Sequence, residues 1–326
     1  MRTLTVDTQT WAIAGTFAIS RGAKTQAHIV MATLRENGVE GRGECVPYGR
    51  YGETVEGVAA TLQSLGPGIA AGLDRDTLQK TLAPGAARNA LDCALWDLEA
   101  KLSGIPVWQR IGLTAPKTLM TAFTLSLDTP EKMHAAAHAA ANRPLLKIKL
   151  GGESDPECLT AIRAGAPDAE LIVDANEGWT IGNLAAMTQA CAAARVTLIE
   201  QPLPASQDEA LRGFDSPVPL CADESCHGLD SLDRLQGLYS VLNIKLDKTG
   251  GLTGAIALAQ AGRARGFRLM IGCMVSTSLA MAPAMLLAAS ADWVDLDGPL
   301  LLARDREPAI TYEQSRMHPA PPALWG

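Results

Sequence analysis

The feature that most constrains the fold is a regular spacing of short apolar segments, most of which end in a charged residue. Their last residues are Lys149, Asp174, Glu200, Asp223, Lys245, Gly272 and Asp295. Successive steps are 25, 26, 23, 22, 27 and 23 residues, which is the length of one strand and one helix. With an earlier segment at 121–127, this period predicts eight strands closed into a barrel, with helices outside and right-handed crossovers.

The first third of the chain has a different organisation. Its alternating segments contain Thr, Val and Ile, as strands do, and the segments that follow have the apolar spacing of helices. This strands-then-helices order predicts an α+β domain over residues 1–115, followed by the barrel domain over residues 116–303. The predicted segments are strands at 3–19 and 26–35, loops at 20–22, 41–44 and 48–52, and helices at 54–65, 74–82 and 86–102.

Composition excludes several classes of protein. The chain is 47% hydrophobic and 19% charged, which is enough to bury a core. A net charge of −7 without any basic run excludes a nucleic-acid surface. The longest apolar run, 279–289, contains Pro283 and is too short to span a membrane. Seven scattered cysteines without a C-x-x-C pair, and no signal-peptide pattern, predict a cytoplasmic protein with reduced thiols.

The polar residues at the strand ends predict where the active site lies. Side chains alternate along a strand, and the outer face of a barrel covered by helices must be apolar. Lys147 and Lys149 alternate with apolar residues, as do Lys245 and the pair Asp295 and Asp297. These charged side chains must therefore face the interior at the carboxyl ends of the strands, which is where such barrels carry out their chemistry.

Three successive strands end in the carboxylates Asp174, Glu200 and Asp223. Buried together, they would repel one another, and one or more would be forced to protonate. A bound divalent cation removes this conflict. Because all the ligands are oxygen atoms, we expect Mg²⁺ first and Mn²⁺ second, rather than Zn²⁺.

Lys149 and Lys245 lie two strands from Glu200 in opposite directions. The two amines therefore flank a substrate held at the metal. This arrangement suits removal of a proton from one face of a carbon next to a carboxylate, through an enediolate, and its return on the other face. We expect a nearby cation, either the ion or Lys147, to lower the pKa of the lysine that acts as base.

These residues resemble the motifs of the enolase superfamily, muconate-lactonizing subgroup. The resemblance covers essentially the whole chain and implies a modified (β/α)7β TIM barrel over 116–303. It also implies a capping domain over 1–115, completed by the tail at 304–326. The matching segments are Lys147-x-Lys149, Asp174-Ala-Asn176, Glu200-Gln201-Pro202, Asp223-Glu224-Ser225 and Asn243-Ile244-Lys245 followed by Gly250-Gly251.

The last strand and the first capping loop indicate the substrate. Asp295-x-Asp297 resembles the D-x-D motif of dipeptide epimerases, in which the carboxylates meet the α-ammonium of the dipeptide. An ammonium entering a water-poor site needs such an anionic partner. Arg21 resembles the capping-loop arginine of L-Ala-D/L-Glu epimerases, which implies that it binds the glutamate side chain. Thr124 and Cys273, at two other strand ends, are further candidate pocket residues.

We therefore expect a Mg²⁺-dependent isomerase that epimerises the C-terminal residue of L-Ala-D-Glu and L-Ala-L-Glu. The resemblance implies a role in murein peptide recycling and allows a homo-oligomer. A small dipeptide is the expected partner, without nucleic acid or membrane. The shared lysines and metal ligands leave three other activities of the subgroup open, and a non-catalytic binding barrel is a further alternative. The three are cycloisomerase, o-succinylbenzoate synthase and N-acylamino acid racemase.

Overall fold

A computed structural model describes all 326 residues, which form three sheets and the helices around them. The largest sheet has eight parallel strands in the order of the sequence. A hydrogen bond of 2.8 Å from Ala122 N to Val294 O connects its two ends and closes the barrel. The barrel strands are β5 (Phe123–Leu125), β6 (Leu145–Lys149), β7 (Glu170–Asp174), β8 (Val196–Glu200), β9 (Leu220–Ala222), β10 (Val241–Ile244), β11 (Arg268–Gly272) and β12 (Trp293–Asp295).

The spacing of strand ends thus predicted the barrel correctly, but two of the connections differ from the expected helix. A 3-10 helix, Ala205–Leu211, joins β8 to β9, and a second short 3-10 helix, Leu229–Ser231, followed by a four-residue α-helix joins β9 to β10. Pro202 and Pro204 precede the 3-10 helix, and proline disfavours helical backbone in the residue before it. The α-helices around the barrel are α6 (Pro130–Ala139), α7 (Asp155–Gly165), α8 (Leu184–Ala193), α9 (Leu232–Leu235), α10 (Leu246–Thr249), α11 (Leu252–Ala264), α12 (Ser278–Ala288) and α13 (Gly298–Leu301).

The N-terminal layer packs an antiparallel sheet against helices. Its strands are β1 (Thr3–Ile19), β2 (Gly22–Glu36) and β3 (Val39–Cys45). Its helices are α1 (Val55–Ser64), α2 (Gly66–Ala70), α3 (Arg75–Thr81), α4 (Ala86–Ser103) and α5 (Val107–Arg110). Thr54 and Asp74 cap α1 and α3 by accepting from backbone amides, and Gly104 ends α4 with a φ of 69°.

Strand β3 corrects the loop predicted at 41–44. Gly41 and Gly43 belong to this strand, which pairs with β2 from Val39 to Cys45. A Cβ atom at either glycine would overlap the backbone of α4, at Ala94 and Ala90 respectively. These glycines therefore mark the close approach of a helix to a strand, which weakens strand propensity but does not end the strand.

Residues after the barrel return to the N-terminal layer. β14 (Arg316–Met317) pairs with β13 (Tyr312–Glu313) and with β4 (Leu119–Met120). Beyond them, Trp325 Nε1 donates to Cys93 O at 3.0 Å, and Gly326 N donates to Asp97 Oδ1 at 2.7 Å. These contacts to α4 agree with a tail that completes the N-terminal layer, although the domain limits at 115 and 303 stay a prediction. None of the helices has the length and apolar content needed to cross a membrane.

Candidate active site

The barrel interior is filled in layers, with one residue from each strand. The lowest layer is an apolar cluster of eight buried residues: Ala122, Leu145, Ile172, Leu198, Cys221, Val241, Met270 and Trp293. Two residues further along each strand, on the same face, lies a mostly polar layer. Its members are Thr124, Lys147, Asp174, Glu200, Asp223, Asn243, Gly272 and Asp295. The sequence therefore changes from core to site within a single step along every strand.

Lys147 is the centre of this polar layer. Its side chain is 1% exposed, and Nζ lies 2.6 Å from Glu200 Oε2, 2.7 Å from Asp295 Oδ2 and 3.2 Å from Asp174 Oδ2. Burial alone would lower the pKa of this lysine, but the three carboxylates raise it well above its usual value. Lys147 is therefore a buried ammonium that neutralises part of the carboxylate charge.

Lys149 and Lys245 lie on opposite sides of these carboxylates, as the strand order predicted. Lys149 Nζ is 2.6 Å from Asp174 Oδ2, and Lys245 Nζ is 2.7 Å from Asp223 Oδ2. Both lysines are buried at the edge of a cavity of about 830 Å³ between the barrel and the N-terminal layer. Two amines thus face one cavity from two directions.

The three candidate metal ligands lie on neighbouring strands, and each of them is in direct contact with a lysine ammonium. No group of three His, Cys, Asp or Glu side chains is arranged so that it could hold an ion in this structure. The donor set still fits a hard cation, because Asp174, Glu200 and Asp223 are buried and supply only oxygen. Four buried oxygen atoms around them have no partner: Asn176 Oδ1, Glu224 Oε2, Asn243 Oδ1 and Asp295 Oδ1.

The pKa of Lys245 is shifted in the opposite direction to the one expected for a base lysine. Burial, and then the charge of Asp174, raise the pKa of Glu200. Burial alone would lower the pKa of Lys245, but Asp223 and Glu200 raise it well above its usual value. A base lysine needs the opposite shift. The site therefore has too much negative charge next to Lys245 for that role until a cation shares these carboxylates.

Gln201, the residue after Glu200, connects two strand ends through its side-chain amide. Its Oε1 accepts from Asp223 N at 3.0 Å and from Ser225 N at 3.1 Å, which ties the end of β8 to the end of β9. Gln201 itself has a φ of 36°, and Asn176 and Glu177, after β7, have φ values of 46° and 65°. Left-handed backbone at non-glycine residues costs free energy and clusters at functional sites.

Asp295 and Asp297 lie on the far side of Lys147, at the end of β12. Asp297 Oδ2 accepts from Thr124 N at 2.6 Å, and both carboxyl groups are buried. Burial, and then the charge of Asp295, raise the pKa of Asp297 to about 7. Thr124, Asp295, Asp297 and the half-buried Cys273 all line the large cavity. This end of the cavity therefore favours a positively charged group.

Arg21 bridges the first capping loop to the barrel. It lies 2.6 Å from Glu224 and 3.1 Å from Glu177, and it donates to Tyr48 Oη at 3.0 Å. Arg50, from the second capping loop at residues 48–52, also pairs with Glu177 at 2.8 Å. The guanidinium predicted to bind a substrate side chain is thus already occupied by two carboxylates of the protein.

Sequence reasoning missed two lysines of the site, Lys248 and Lys24. Lys248 is fully buried, with Nζ 2.6 Å from Asp223 Oδ1 and 3.0 Å from Asn243 O. Lys24 lines the cavity without any ion pair, and its Nζ lies 5.2 Å from the centre of the Tyr48 ring. The signal for Lys248 was its position three residues after Lys245, one turn along α10.

Two family models together match most of the chain. Residues 1–112 match the N-terminal domain of the mandelate racemase / muconate lactonizing enzyme family, and residues 130–318 match the enolase C-terminal domain-like family. The chain therefore belongs to the enolase superfamily, in its mandelate racemase / muconate lactonizing enzyme branch. This confirms both the resemblance read from the motifs and the modified barrel with its capping layer.

Two curated relatives identify the type of enzyme. The chain is 48% identical over 320 residues to the L-Ala-D/L-Glu epimerase of Escherichia coli (strain K12), covering 98% of this chain and 100% of the relative. It is 47% identical over 300 residues to the N-acetyl-D-glutamate racemase of a Pseudoalteromonas species, covering 91% and 95%. Since both relatives are isomerases at high identity, this protein is an isomerase.

Solved structures agree with this assignment. An enolase family member from Agrobacterium tumefaciens, with homology to dipeptide epimerases and with sodium and L-Ala-L-Glu bound, superposes with a TM-score of 0.99. It is 49% identical, and the match covers 100% of both chains. The dipeptide epimerase of Enterococcus faecalis V583, complexed with Mg and L-Leu-L-Tyr, superposes with a TM-score of 0.90 at 29% identity, covering 98% and 96%.

Proposed function

We propose that the protein epimerises the C-terminal residue of L-Ala-D-Glu and L-Ala-L-Glu by two-base 1,1-proton transfer through an enediolate. The observation that carries this proposal is the placement of Lys149 and Lys245 on opposite sides of the buried carboxylates, facing one cavity. One amine removes the proton from Cα, and the other returns a proton to the opposite face. A binding protein has no use for a second amine in this position.

The metal ligands in this proposal are Asp174, Glu200 and Asp223, with Mg²⁺ as the ion and Mn²⁺ as a substitute. The buried carboxylates and the unpartnered oxygen atoms around them favour a hard cation. When bound, the ion would supply positive charge beside the substrate carboxylate, where negative charge develops. Lys147 supplies a second, permanent positive charge in the same layer.

Asp295 and Asp297 are proposed to bind the ammonium group of the dipeptide. Asp295 Oδ1 is buried without a partner, and an ammonium donor would satisfy it. This observation favours a dipeptide over the second candidate, an N-acylated amino acid, which has no ammonium. A cycloisomerase or o-succinylbenzoate synthase substrate would gain nothing from these two carboxylates either.

The glutamate side chain has two candidate partners. Arg21 was proposed from the sequence, and it would have to leave Glu224 and Glu177 to bind a substrate carboxylate. Lys24 is already free and faces the same cavity, and burial, followed by the charge of Arg21, lowers its pKa. We therefore propose that Lys24 pairs with the substrate side chain while Arg21 holds the capping loop on the barrel. A role in murein peptide recycling is part of this proposal and rests on the family resemblance alone.

The test is deuterium incorporation at Cα in D₂O with Mg²⁺, followed by mass spectrometry. L-Ala-L-Glu should gain one deuterium and form L-Ala-D-Glu, and EDTA should stop the reaction until Mg²⁺ or Mn²⁺ is restored. N-acetyl-L-glutamate should exchange much more slowly. Exchange of the acetylated compound in preference to the dipeptide would favour the racemase instead, and no exchange of either would refute both activities.

Lys24→Met and Arg21→Met are the matched pair for the side-chain assignment. Loss of a charge-assisted contact to the substrate should raise KM for L-Ala-L-Glu about tenfold in Lys24→Met. L-Ala-L-Leu, which has no side-chain charge, should be unaffected by the same change. If Arg21→Met instead raised KM more than Lys24→Met, and only for L-Ala-L-Glu, Arg21 would be the residue that binds the glutamate side chain.

A further inference from the structure

A carboxylate that takes no part in the proposed reaction lies in the first turn after Lys245. Asp247 belongs to α10, which begins directly after this lysine, and it is 7% exposed. Its Oδ1 accepts two hydrogen bonds of 2.9 Å, from Val46 N and from Asn89 Nδ2. Both donors belong to the N-terminal layer, so one buried oxygen atom joins the end of β10 to that layer.

The same segment of chain is held on its other side by the barrel. Lys248 Nζ donates to Asn243 O and to Asp223, which fixes the turn from below. From above, Arg88 of α4 donates to Thr249 O at 2.8 Å and to Gly250 O at 3.3 Å. Among the residues of this segment that the N-terminal layer holds, Asp247 is the nearest to Lys245 along the chain.

Asp247 also reaches the second capping loop. Val46, its backbone donor, precedes Pro47 and Tyr48, and all three residues line the active-site cavity. Tyr51, three residues after Tyr48, lines the same cavity as Lys245 and Asp223. One carboxylate oxygen, Asp247 Oδ1, therefore connects the segment after Lys245 to the residues that lead into the second capping loop.

We propose that Asp247 is a positioning residue for Lys245, which sets the place of the lysine amine through its hydrogen bonds to Val46 and Asn89. This inference rests on the proposed function, since it assigns one base of that reaction a dedicated support. A displacement of a reacting group by about 1 Å can cost up to about 10²-fold in rate. Loss of Asp247 should therefore weaken one base and leave the other intact.

The experiment measures α-deuterium exchange separately from L-Ala-L-Glu and L-Ala-D-Glu, with exchange that retains configuration resolved from inversion. The epimer that Lys245→Ala no longer exchanges identifies the substrate of that lysine. Asp247→Ala should slow exchange of this epimer by about tenfold to a hundredfold, and exchange of the other epimer by less than about twofold. Inversion should fall in both directions, because it needs both lysines. Asp247→Asn keeps the accepting oxygen and should restore most of the rate.

Asp92→Ala is the matched control, because it removes another buried α4 contact to the same segment, the 3.0 Å bond from Thr253 N, further from Lys245. It should lower stability without separating the two epimers. If Asp247→Ala does not fold, Asn89→Ala removes one of the two donors and should give a smaller difference of the same sign. Equal loss from both epimers, or no loss, overturns this inference alone. No exchange by the unaltered protein overturns the proposed function and the inference together.

Discussion

The two sides of the barrel mouth hold their lysines in different ways. On the β10 side, the residues after Lys245 are fixed by buried polar contacts to α4 and to Asp223. On the β6 side, Lys149 meets the ring of Phe17 at 5.7 Å, and the chain then turns through Gly151, against Ser20 of the first capping loop. Lys245 is supported by the interior of the N-terminal layer, and Lys149 lies next to the first capping loop.

This difference separates two kinds of control over one reaction. Changes in the packing of β3 against α4 should reach Lys245, because α4 carries the residues that hold its segment. Changes in residues 17–21 should reach Lys149 instead. In the proposed reaction inversion needs both amines, so either kind of change should lower turnover, and exchange of single epimers should show which side was affected.

Loss of either lysine should give the largest effect. Lys149→Ala and Lys245→Ala should each lower inversion by about 10³-fold, because general-base catalysis contributes on this order. Each variant should still exchange one epimer with retention of configuration, and the two variants should retain opposite epimers. If both variants still exchanged the same epimer, the two amines would not act on opposite faces of Cα, and the comparison would fail. Mass spectrometry after incubation in D₂O measures both quantities.

Gly43→Ala should strongly destabilise the packing of β3 against α4, on the side of the site that holds Lys245. The added methyl group overlaps Ala90 O of α4, so the helix must move away from β3. We expect a loss of about 3 kcal/mol in the free energy of unfolding, measured by urea titration. Gly49→Ala, where nothing lies within 4 Å, is the control and should change little. Full stability of Gly43→Ala would contradict the close approach on which the support of Lys245 depends.

Asp92, on α4, should make the stability of the protein depend on pH. Burial raises the pKa of this α4 carboxyl from 3.8 to about 6. Because this pKa is higher in the folded than in the unfolded state, the carboxyl group contributes fully to the free energy of unfolding below pH 3.8. This contribution is lost as the pH rises through 6. The stability of the unaltered protein relative to Asp92→Asn should fall by about 2 kcal/mol between pH 4 and pH 6. A constant difference across this range would show that the carboxyl does not titrate there.

Phe17→Leu should produce the smallest effect, on the loop side. The ring face lies near the Lys149 ammonium, and such contacts are worth about 0.5–1 kcal/mol at partly exposed sites. Exchange of the epimer that depends on Lys149 should change by about twofold to fivefold, with little change for the other epimer. An equal change for both epimers would mean that Phe17 acts on the substrate and not on the lysine.

The sequence was sufficient for the barrel and for the placement of the charged layer, because both follow from period and parity along single strands. It was insufficient where a contact joins distant parts of the chain. Gly41 and Gly43 looked like loop residues, since the helix that requires them begins more than 40 residues later. Arg21 and Glu224 are 203 residues apart, so nothing in the spacing shows that the guanidinium is already paired.

The hydrogen bond between Trp325 and Cys93 has a consequence for the order in which the protein is made. The two residues are 232 positions apart, and the whole barrel lies between them in the chain. Helix α4 emerges early from the ribosome, yet it gains this contact only after every barrel strand has been synthesised. The side of the site that holds Lys245 should therefore mature late, and early nascent chains should leave the tail-facing surface of α4 accessible to protease.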